Sequence, residues 1–321
     1  MKVLITATSF SEVTREPEDR LIAAGYEVAH NPYGRPMTPD ELRPVLRDVD
    51  GIAAGVDQFF PPAFDDAERL KVLARHGAGM DCVDVAECTR RGIVVANLPG
   101  ANAEAVADMA FALMLAVARK IPEGDRTTKA GQWTNTYGVD VCGATLGLLG
   151  LGRIGKGVAR RGRGFDMRIL AYDPLFDKEF AAQFVVERAV SIEHVMKEAD
   201  FVSVHMPLND ETRKCINAER IALMKPTGVL VNTARGAIVD EEALADALEA
   251  GRIFGAGLDV YAAEPPTQSR LLKCGRAVTM PHNSSNTPGA LLAMGNGVVD
   301  AIIAVFEGRR PQYCVNPEVY K

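Results

Sequence analysis

Short apolar runs alternate along this chain with longer stretches that are apolar on one side only. In the first hundred residues the runs 3–6, 27–29, 51–54, 71–74 and 93–96 predict strands. Between them, residues 16–24 stop at Gly25, Thr38-Pro39 opens 40–47, and Pro61-Pro62 opens 63–70, which predicts three helices. Strand–helix alternation at this spacing implies a parallel sheet with helices on both faces.

Residues 101–120 read as a long helix, apolar nearly all round, with Asn102 placed to cap it. Such a helix has to be buried against something large, a second subunit or a domain seam. A looser polar stretch, 124–141, follows and holds the only tryptophan, Trp133. From Thr145 the alternation restarts, with strands predicted at 145–149, 168–171, 201–204, 228–232, 255–258 and 277–280. The expected fold class is α/β, two doubly wound parallel-sheet (Rossmann-like) domains. The tail 291–306 reads as helical, without indicating which sheet it covers.

Composition narrows the possibilities. The chain has 321 residues, enough for about two domains of ordinary size. A net charge of −6 disfavours nucleic acid as a partner, since phosphate binding requires clustered Lys and Arg. The one basic cluster, Arg160-Arg161-Gly162-Arg163, reads as the solvated end of a helix. The opening strand is no signal peptide, and the most apolar stretch, 109–118, is too short to span a bilayer, so no membrane partner and a cytoplasmic location are expected. Six cysteines without a Cys-x-x-Cys pair predict reduced thiols and no metal site.

Gly150-Leu151-Gly152-Arg153-Ile154-Gly155 is a G-x-G-x-x-G run that follows a strand and opens a helical stretch, residues 156–161. A second strand ends in Tyr172-Asp173, and Asp173 lies 18 residues past Gly155. Together these make a dinucleotide-binding fingerprint. Gly150 permits the tight turn, Gly152 lets a pyrophosphate approach, and Gly155 allows close packing at a helix N-terminus that favours anions. Asp173 would accept hydrogen bonds from the ribose hydroxyls and repel an extra phosphate. The expected cofactor is NAD.

Reduction of a keto acid needs a cation for the carboxylate, a general acid, and a group that tunes the acid. Arg235, Glu264 and His282 each lie just past a predicted strand in the second half, where open α/β sheets bind ligands. Singly, each also reads as a surface charge, a loop acid or a turn histidine.

In combination these motifs resemble the D-isomer-specific 2-hydroxyacid dehydrogenases, the family of phosphoglycerate dehydrogenase and of hydroxypyruvate and glyoxylate reductases. The resemblance covers nearly the whole length. Besides the glycine loop and Tyr172-Asp173, it rests on residues 199–207 (ADFVSVHMP) followed by Thr212, on Met224-Lys225-Pro226 leading to Asn232-Thr233-Ala234-Arg235-Gly236, on residues 258–266 (LDVYAAEPP), and on Pro281-His282. It implies that Arg235 binds the substrate and that His282 exchanges the proton. Glu264 pairs with His282 and raises its pKa, because a nearby anion favours the imidazolium. Cofactor contacts are implied for Arg153, Ile154, Asp173, His205, Met206, Pro207, Thr212, Thr233, Ala234, Asp259 and Ser285, with Asp259 near the nicotinamide amide. Arg75-His76-Gly77-Ala78-Gly79 matches the loop that holds the substrate carboxylate through backbone N–H groups.

The resemblance also implies a substrate domain of residues 1–98 and 288–321, an NAD-binding domain of 99–287 with the active site in the cleft between them, and a homodimer built around the 101–120 helix. Three positions depart from the family pattern. Ser284 stands where glycine is usual, Cys82 where asparagine is frequent, and Met206 where threonine is found. The first two lie at the edge of the substrate pocket. A phosphorylated substrate would need several cations, of which only Arg75 and Arg35 present themselves; Gly55 and Asn135 stand at other positions that are basic in phosphoglycerate dehydrogenases. A 3-phosphoglycerate-type substrate and a smaller one such as hydroxypyruvate or glyoxylate therefore rank evenly. Since the chain ends at Lys321, no regulation through a C-terminal domain of longer relatives is expected. The non-enzymatic alternative is an NAD(H)-sensing module of the same fold, like the co-repressors that resemble this family, without meaningful turnover.

Overall fold

The structure is a computed structural model that describes residues 1–321, and it divides into two compact units. The first comprises Met1–Asn102 with Ser285–Lys321, the second Ala103–Ser284.

In the first unit β1 (Lys2–Ile5), α1 (Glu16–Ala23), β2 (Glu27–His30), α2 (Pro39–Val45), β3 (Gly51–Ala54), β4 (Val72–Arg75), α3 (Val85–Arg90) and β5 (Val94–Ala96) follow in order. The strands form one parallel sheet, β2-β1-β3-β4-β5. Every residue of β3 is buried, as a strand covered on both faces must be.

Residues 63–70, expected to be a helix, are not one. Ala63, Phe64, Ala67 and Leu70 are buried at helical spacing, but the backbone closes successive i→i−3 turns (Ala63 N to Phe60 O, Ala67 N to Phe64 O, Leu70 N to Ala67 O). The Asp65 N–H likewise bonds to the Pro62 carbonyl, so turns form in place of an i→i−4 ladder. Asp65 and Asp66 are held outward by Arg91 and by Arg43 and Arg47.

The second unit opens with α4 (Ala103–Ala118) and α5 (Ile121–Lys129) and continues through β6 (Thr145–Leu149), α6 (Arg153–Gly164), β7 (Arg168–Tyr172), α7 (Lys178–Phe184), β8 (Val186–Arg188), α8 (Ile192–Glu198), β9 (Phe201–Val204), α9 (Ala218–Ile221), β10 (Val229–Asn232), α10 (Glu241–Glu249), β11 (Gly255–Leu258) and β12 (Ala277–Thr279). Its parallel sheet runs β12-β11-β10-β9-β6-β7-β8. The order reverses direction beside β6, the switch point at which doubly wound sheets bind ligands.

Helix α4 lies on α6, β10 and β11 of its own unit, which bury most of its apolar residues, while Ala112 stays exposed and Met109, Leu115 and Ala116 partly so. The basic cluster lies in the last turns of α6 with Arg160 and Arg163 exposed, and Arg160 and Arg161 form surface pairs with Glu104 and Asp108 of α4. Helix α5 and strand β8 were not foreseen. Finally, α11 (Pro288–Phe306) returns to the first unit, packing on α1, β3, β4 and β5. By length and composition α11 is the one helix that meets the requirement for crossing a membrane; half of its most apolar window is buried in this unit.

Candidate active site

The residues implied in cofactor or proton chemistry in the second unit lie just past the carboxyl end of a strand, in the loop that follows it or, for Arg153, Ile154 and Gly155, in the first turn of α6. Reading across the sheet, His282 follows β12, Asp259 and Glu264 follow β11, Thr233 and Arg235 follow β10, His205 follows β9, Gly150 follows β6 and Asp173 follows β7.

The glycine loop is shaped by close approach. Gly150 takes φ 105°, and a Cβ on Gly155 would lie 2.2 Å from the Gly150 carbonyl oxygen. A Cβ on Gly152, by contrast, meets nothing within 4 Å. Helix α6 then begins with no acid in its first turn, while Arg153 and Lys156 stand there. Cations at this end oppose the helix dipole, so the arrangement suits an anion at the N-terminus. Asp173 braces the loop: its two carboxylate oxygens accept the Leu151 N–H at 2.6 Å and the Leu175 N–H at 2.7 Å.

His205 lies beneath the loop, where a Cβ on Gly150 would come within 2.7 Å of the His205 carbonyl oxygen. Its Nε2 is 2.9 Å from Ser203 Oγ, whereas Nδ1 is shut off from solvent and has no partner. Burial pushes its pKa down to about 3, so the ring is neutral at pH 7. Met206 is buried in the core while Pro207 is exposed, and Thr212 closes their loop by donating to the Pro207 carbonyl at 2.7 Å. The Thr233 hydroxyl is also buried and without a partner. An orphaned hydroxyl, an open Gly152 and an acid-free helix start fit a dinucleotide that would occupy all three.

The catalytic candidates are drawn together by the loop after β11. Glu264 places Oε2 2.7 Å from His282 Nδ1, and its Oε1 accepts the Tyr261 N–H at 3.0 Å. Burial alone would raise the Glu264 pKa. The His282 hydrogen bond and charge, the Tyr261 N–H and the Arg235 charge outweigh it, and the carboxyl sits below its usual range. The imidazole, meanwhile, remains open to solvent, with 43% of its side chain exposed, as a proton donor to a bound substrate requires.

His282 adopts φ 56°, a left-handed conformation that costs a non-glycine residue roughly 1–2 kcal/mol. The neighbouring backbone is tied down on both sides. The Tyr261 hydroxyl donates to the Met280 carbonyl at 3.0 Å, and Asp259 accepts the N–H groups of Asn283 and Ser284, both at 2.8 Å. Asp259 has no solvent exposure at all.

Arg235 is aimed by Asn232, whose amide donates to the Arg235 carbonyl at 2.9 Å and whose Oδ1 accepts the Ala234 N–H at 3.0 Å. The guanidinium also donates to the Ala234 carbonyl. A Cβ on Gly236 would fall 1.9 Å from the Tyr261 carbonyl carbon, so glycine alone lets the Arg235 loop pass against the Asp259–Glu264 segment. The roles of Asn232, Tyr261 and Gly236 were missed in the sequence. Asn232 sits at a strand end before the arginine, which was the one available signal.

In the first unit, the Arg75 guanidinium donates to the His76 carbonyl at 2.7 Å and leaves Nε buried and unpartnered. His76 is buried against Phe10; burial and the Arg75 charge push its pKa down to about 4, against a smaller opposing backbone contact at Leu291. Gly77 takes φ 151°, its carbonyl accepts the Leu98 N–H, and the Asn97 amide donates to the Ala78 carbonyl; Gly79 follows. Ser285 accepts from the Asn102 amide at 2.8 Å. Arg35, considered for a phosphate, is held by both carboxylate oxygens of Glu41, at 2.6 and 2.9 Å. No three His, Cys, Asp or Glu side chains are placed to hold a metal ion.

The chain is similar to known proteins over most of its length. Residues 111–284 match the family model of the D-isomer specific 2-hydroxyacid dehydrogenase NAD-binding domain. The chain is 40% identical over 320 residues to a glyoxylate reductase of Korarchaeum cryptofilum, covering 96% of each protein. It is 39% identical over 283 residues to a D-3-phosphoglycerate dehydrogenase of Methanocaldococcus jannaschii, covering 87% of this chain but 54% of that protein. Among solved structures it is similar to an NADPH-dependent glyoxylate/hydroxypyruvate reductase of Sinorhizobium meliloti in complex with NADP and malonate, with a TM-score of 0.86 at 30% identity, covering 99% and 97% of the two chains. The chain belongs to the D-isomer-specific 2-hydroxyacid dehydrogenases and is an NAD(P)-dependent oxidoreductase of small hydroxy and keto acids.

Proposed function

We propose that this enzyme reduces a small unphosphorylated 2-keto acid, glyoxylate or hydroxypyruvate, with NADH. The observation that carries the reading is the Glu264–His282 pair, with the Arg235 charge acting on it, past the ends of three adjacent strands. When bound, the nicotinamide supplies the hydride to the keto carbon. Arg235 holds the carboxylate and polarises the carbonyl. His282 gives its proton to the carbonyl oxygen, and Glu264 keeps the imidazole turned toward it. Arg75, His76, Gly77, Ala78 and Gly79 take part in holding the substrate.

Engagement of Arg35 by Glu41 favours the unphosphorylated substrate, because it removes one of two cations available for a phosphate. NADH is preferred over NADPH because Asp173 places a carboxylate past β7 and no arginine follows in Pro174-Leu175-Phe176. The enzyme is cytoplasmic, has neither nucleic-acid nor membrane partners, and forms a homodimer through the 101–120 region. The exposed Trp133 and Tyr137, a short distance further along the chain, suit an interface there.

The test is oxidation of NADH and NADPH against glyoxylate, hydroxypyruvate, pyruvate and 3-phosphohydroxypyruvate. Turnover of the first two with NADH, at an ordinary rate on the order of 1–1000 per second, is expected. A preference for the phosphorylated acid or for NADPH overturns the corresponding part of the reading.

A further inference from the structure

The loop after β3, in the first unit, carries a buried acid that the proposed mechanism does not use. Asp57 has no solvent exposure. Its Oδ1 accepts the Met37 N–H at 2.8 Å. Oδ2 makes no well-formed hydrogen bond, although the Thr6 hydroxyl lies close enough to favour its charge. An amide at this position could accept the Met37 N–H equally well and would avoid the cost of burying a carboxylate. The fold therefore asks for an acceptor here, and the charge is left for another purpose.

That charge acts on Arg75. Strands β3 and β4 pair with Ala54 opposite Arg75, and the guanidinium leans back toward β3, with Nη1 3.5 Å from the Ala54 carbonyl oxygen. Asp57 follows Ala54 by three residues. Burial raises its pKa, while the Thr6 hydroxyl, the Met37 N–H and the Arg75 charge oppose the rise. Gly55, between the two, admits no side chain. A Cβ there would lie 2.9 Å from the Ala7 Cα and 3.0 Å from both the Thr6 carbonyl oxygen and Asp57 Oδ2. A further cation therefore cannot be added to the loop at that point. Of the two cations considered for a phosphate, Arg35 is held by Glu41 and Arg75 is opposed by Asp57.

We propose that Asp57 is a specificity-determining residue that opposes the Arg75 charge and so turns away 2-keto acids whose tail carries a second anionic group. The proposal rests on reading Arg75–Gly79 as the loop that holds the substrate. The substrate's own carboxylate is still held, because Arg235 and the backbone N–H groups of that loop serve it. A phosphate or second carboxylate on the tail would meet a carboxylate in a region of low dielectric, where like charges repel more strongly than in water. Discrimination needs only such a repulsive element, with no new contact to the favoured substrate.

Asp57→Asn keeps an acceptor for Met37 and removes the charge. The ratio of kcat/KM for 3-phosphohydroxypyruvate to that for hydroxypyruvate should rise roughly tenfold or more, and should fall back in Asp57→Asn/Arg75→Gln. A ratio within about twofold of the parent overturns the proposal. A gain that persists without Arg75 overturns it too, since that would be the general effect of one fewer negative charge. Inorganic phosphate, titrated calorimetrically, gives a readout that needs no turnover. It should bind Asp57→Asn roughly tenfold more tightly than the parent, and equal affinity overturns the proposal. If the variant fails to fold, the parent alone decides: a phosphate Kd below about 1 mM overturns the proposal, and weaker binding supports it. A parent that turns over no keto acid of the panel contradicts the proposed function, and the phosphate titration then tests Asp57 by itself.

Discussion

Replacing Gly236 with alanine should damage catalysis through backbone geometry alone. The new Cβ would lie 1.9 Å from the Tyr261 carbonyl carbon, 2.2 Å from its Cα and 2.3 Å from the Ala262 nitrogen. Nonbonded carbon atoms rest about 3.5–4.0 Å apart, so the two segments must separate by roughly 1.5 Å. All three clashing atoms belong to backbone, and no side-chain rotation relieves them. One segment carries Arg235, and the other carries Asp259, Tyr261 and Glu264, which hold the His282 loop. Overpacking of this kind costs about 1–3 kcal/mol, several degrees in Tm for a domain of this size. A misplacement of about 1 Å between catalytic groups costs on the order of a hundredfold in rate. Thermal unfolding and steady-state NADH oxidation read the two effects separately. A variant whose Tm matches the parent, and whose kcat is within about twofold of it, would refute the claim that these segments are held in contact.

Gly155→Ala should weaken NADH binding at least tenfold, as followed by NADH fluorescence, because its Cβ would strike the Gly150 carbonyl 2.2 Å away; unchanged affinity would mean that the loop does not cradle the cofactor. Asp173→Ala should narrow the preference for NADH over NADPH and lower Tm as well, since the Leu151 and Leu175 N–H groups lose their acceptor; an unchanged kcat/KM ratio would show the fingerprint misread. Stability should fall on acidification. His76 and His205 have folded pKa values of about 4 and about 3, below the ordinary value of 6.5, so the unfolded chain binds more protons between those limits. Their contribution is complete above pH 6.5 and declines as pH falls toward 4, by at most about 1.4 kcal/mol per pH unit for each residue. Denaturant titrations from pH 7.5 to 4.5 should show this slope, reduced in His76→Asn; a flat profile would contradict the buried neutral state.

Where the sequence was informative, local chemistry and tertiary structure pointed the same way. The strands at 51–54, 145–149, 201–204 and 255–258 are short apolar runs that ended up covered on both faces, so period and burial agree. Strand β8 escaped because only Val186 of its three residues is buried, as happens on a sheet edge. Helix α5 escaped because its residues are almost entirely exposed and carry no apolar stripe. Residues 63–70 misled in the opposite direction. Their burial is periodic, but the backbone N–H groups close i→i−3 turns instead of a helical ladder. At the site, Gly150, Gly155, Arg235, Glu264 and His282 were legible because chemistry restricts residue type at those spacings. The braces were not. Tyr261 and Gly236 act against backbone atoms of loops distant in sequence, and only coordinates bring those atoms together, while the Asn232 amide closes on its own loop.

The central claim is that His282, oriented by Glu264, delivers the proton to a small keto acid. Its most direct test is NADH oxidation with glyoxylate and hydroxypyruvate by the parent and by His282→Ala, with NADH affinity measured in parallel. The account predicts that kcat falls by at least a hundredfold while the Kd for NADH stays within about twofold. Near-parental turnover by His282→Ala would contradict it and move the proton donor elsewhere.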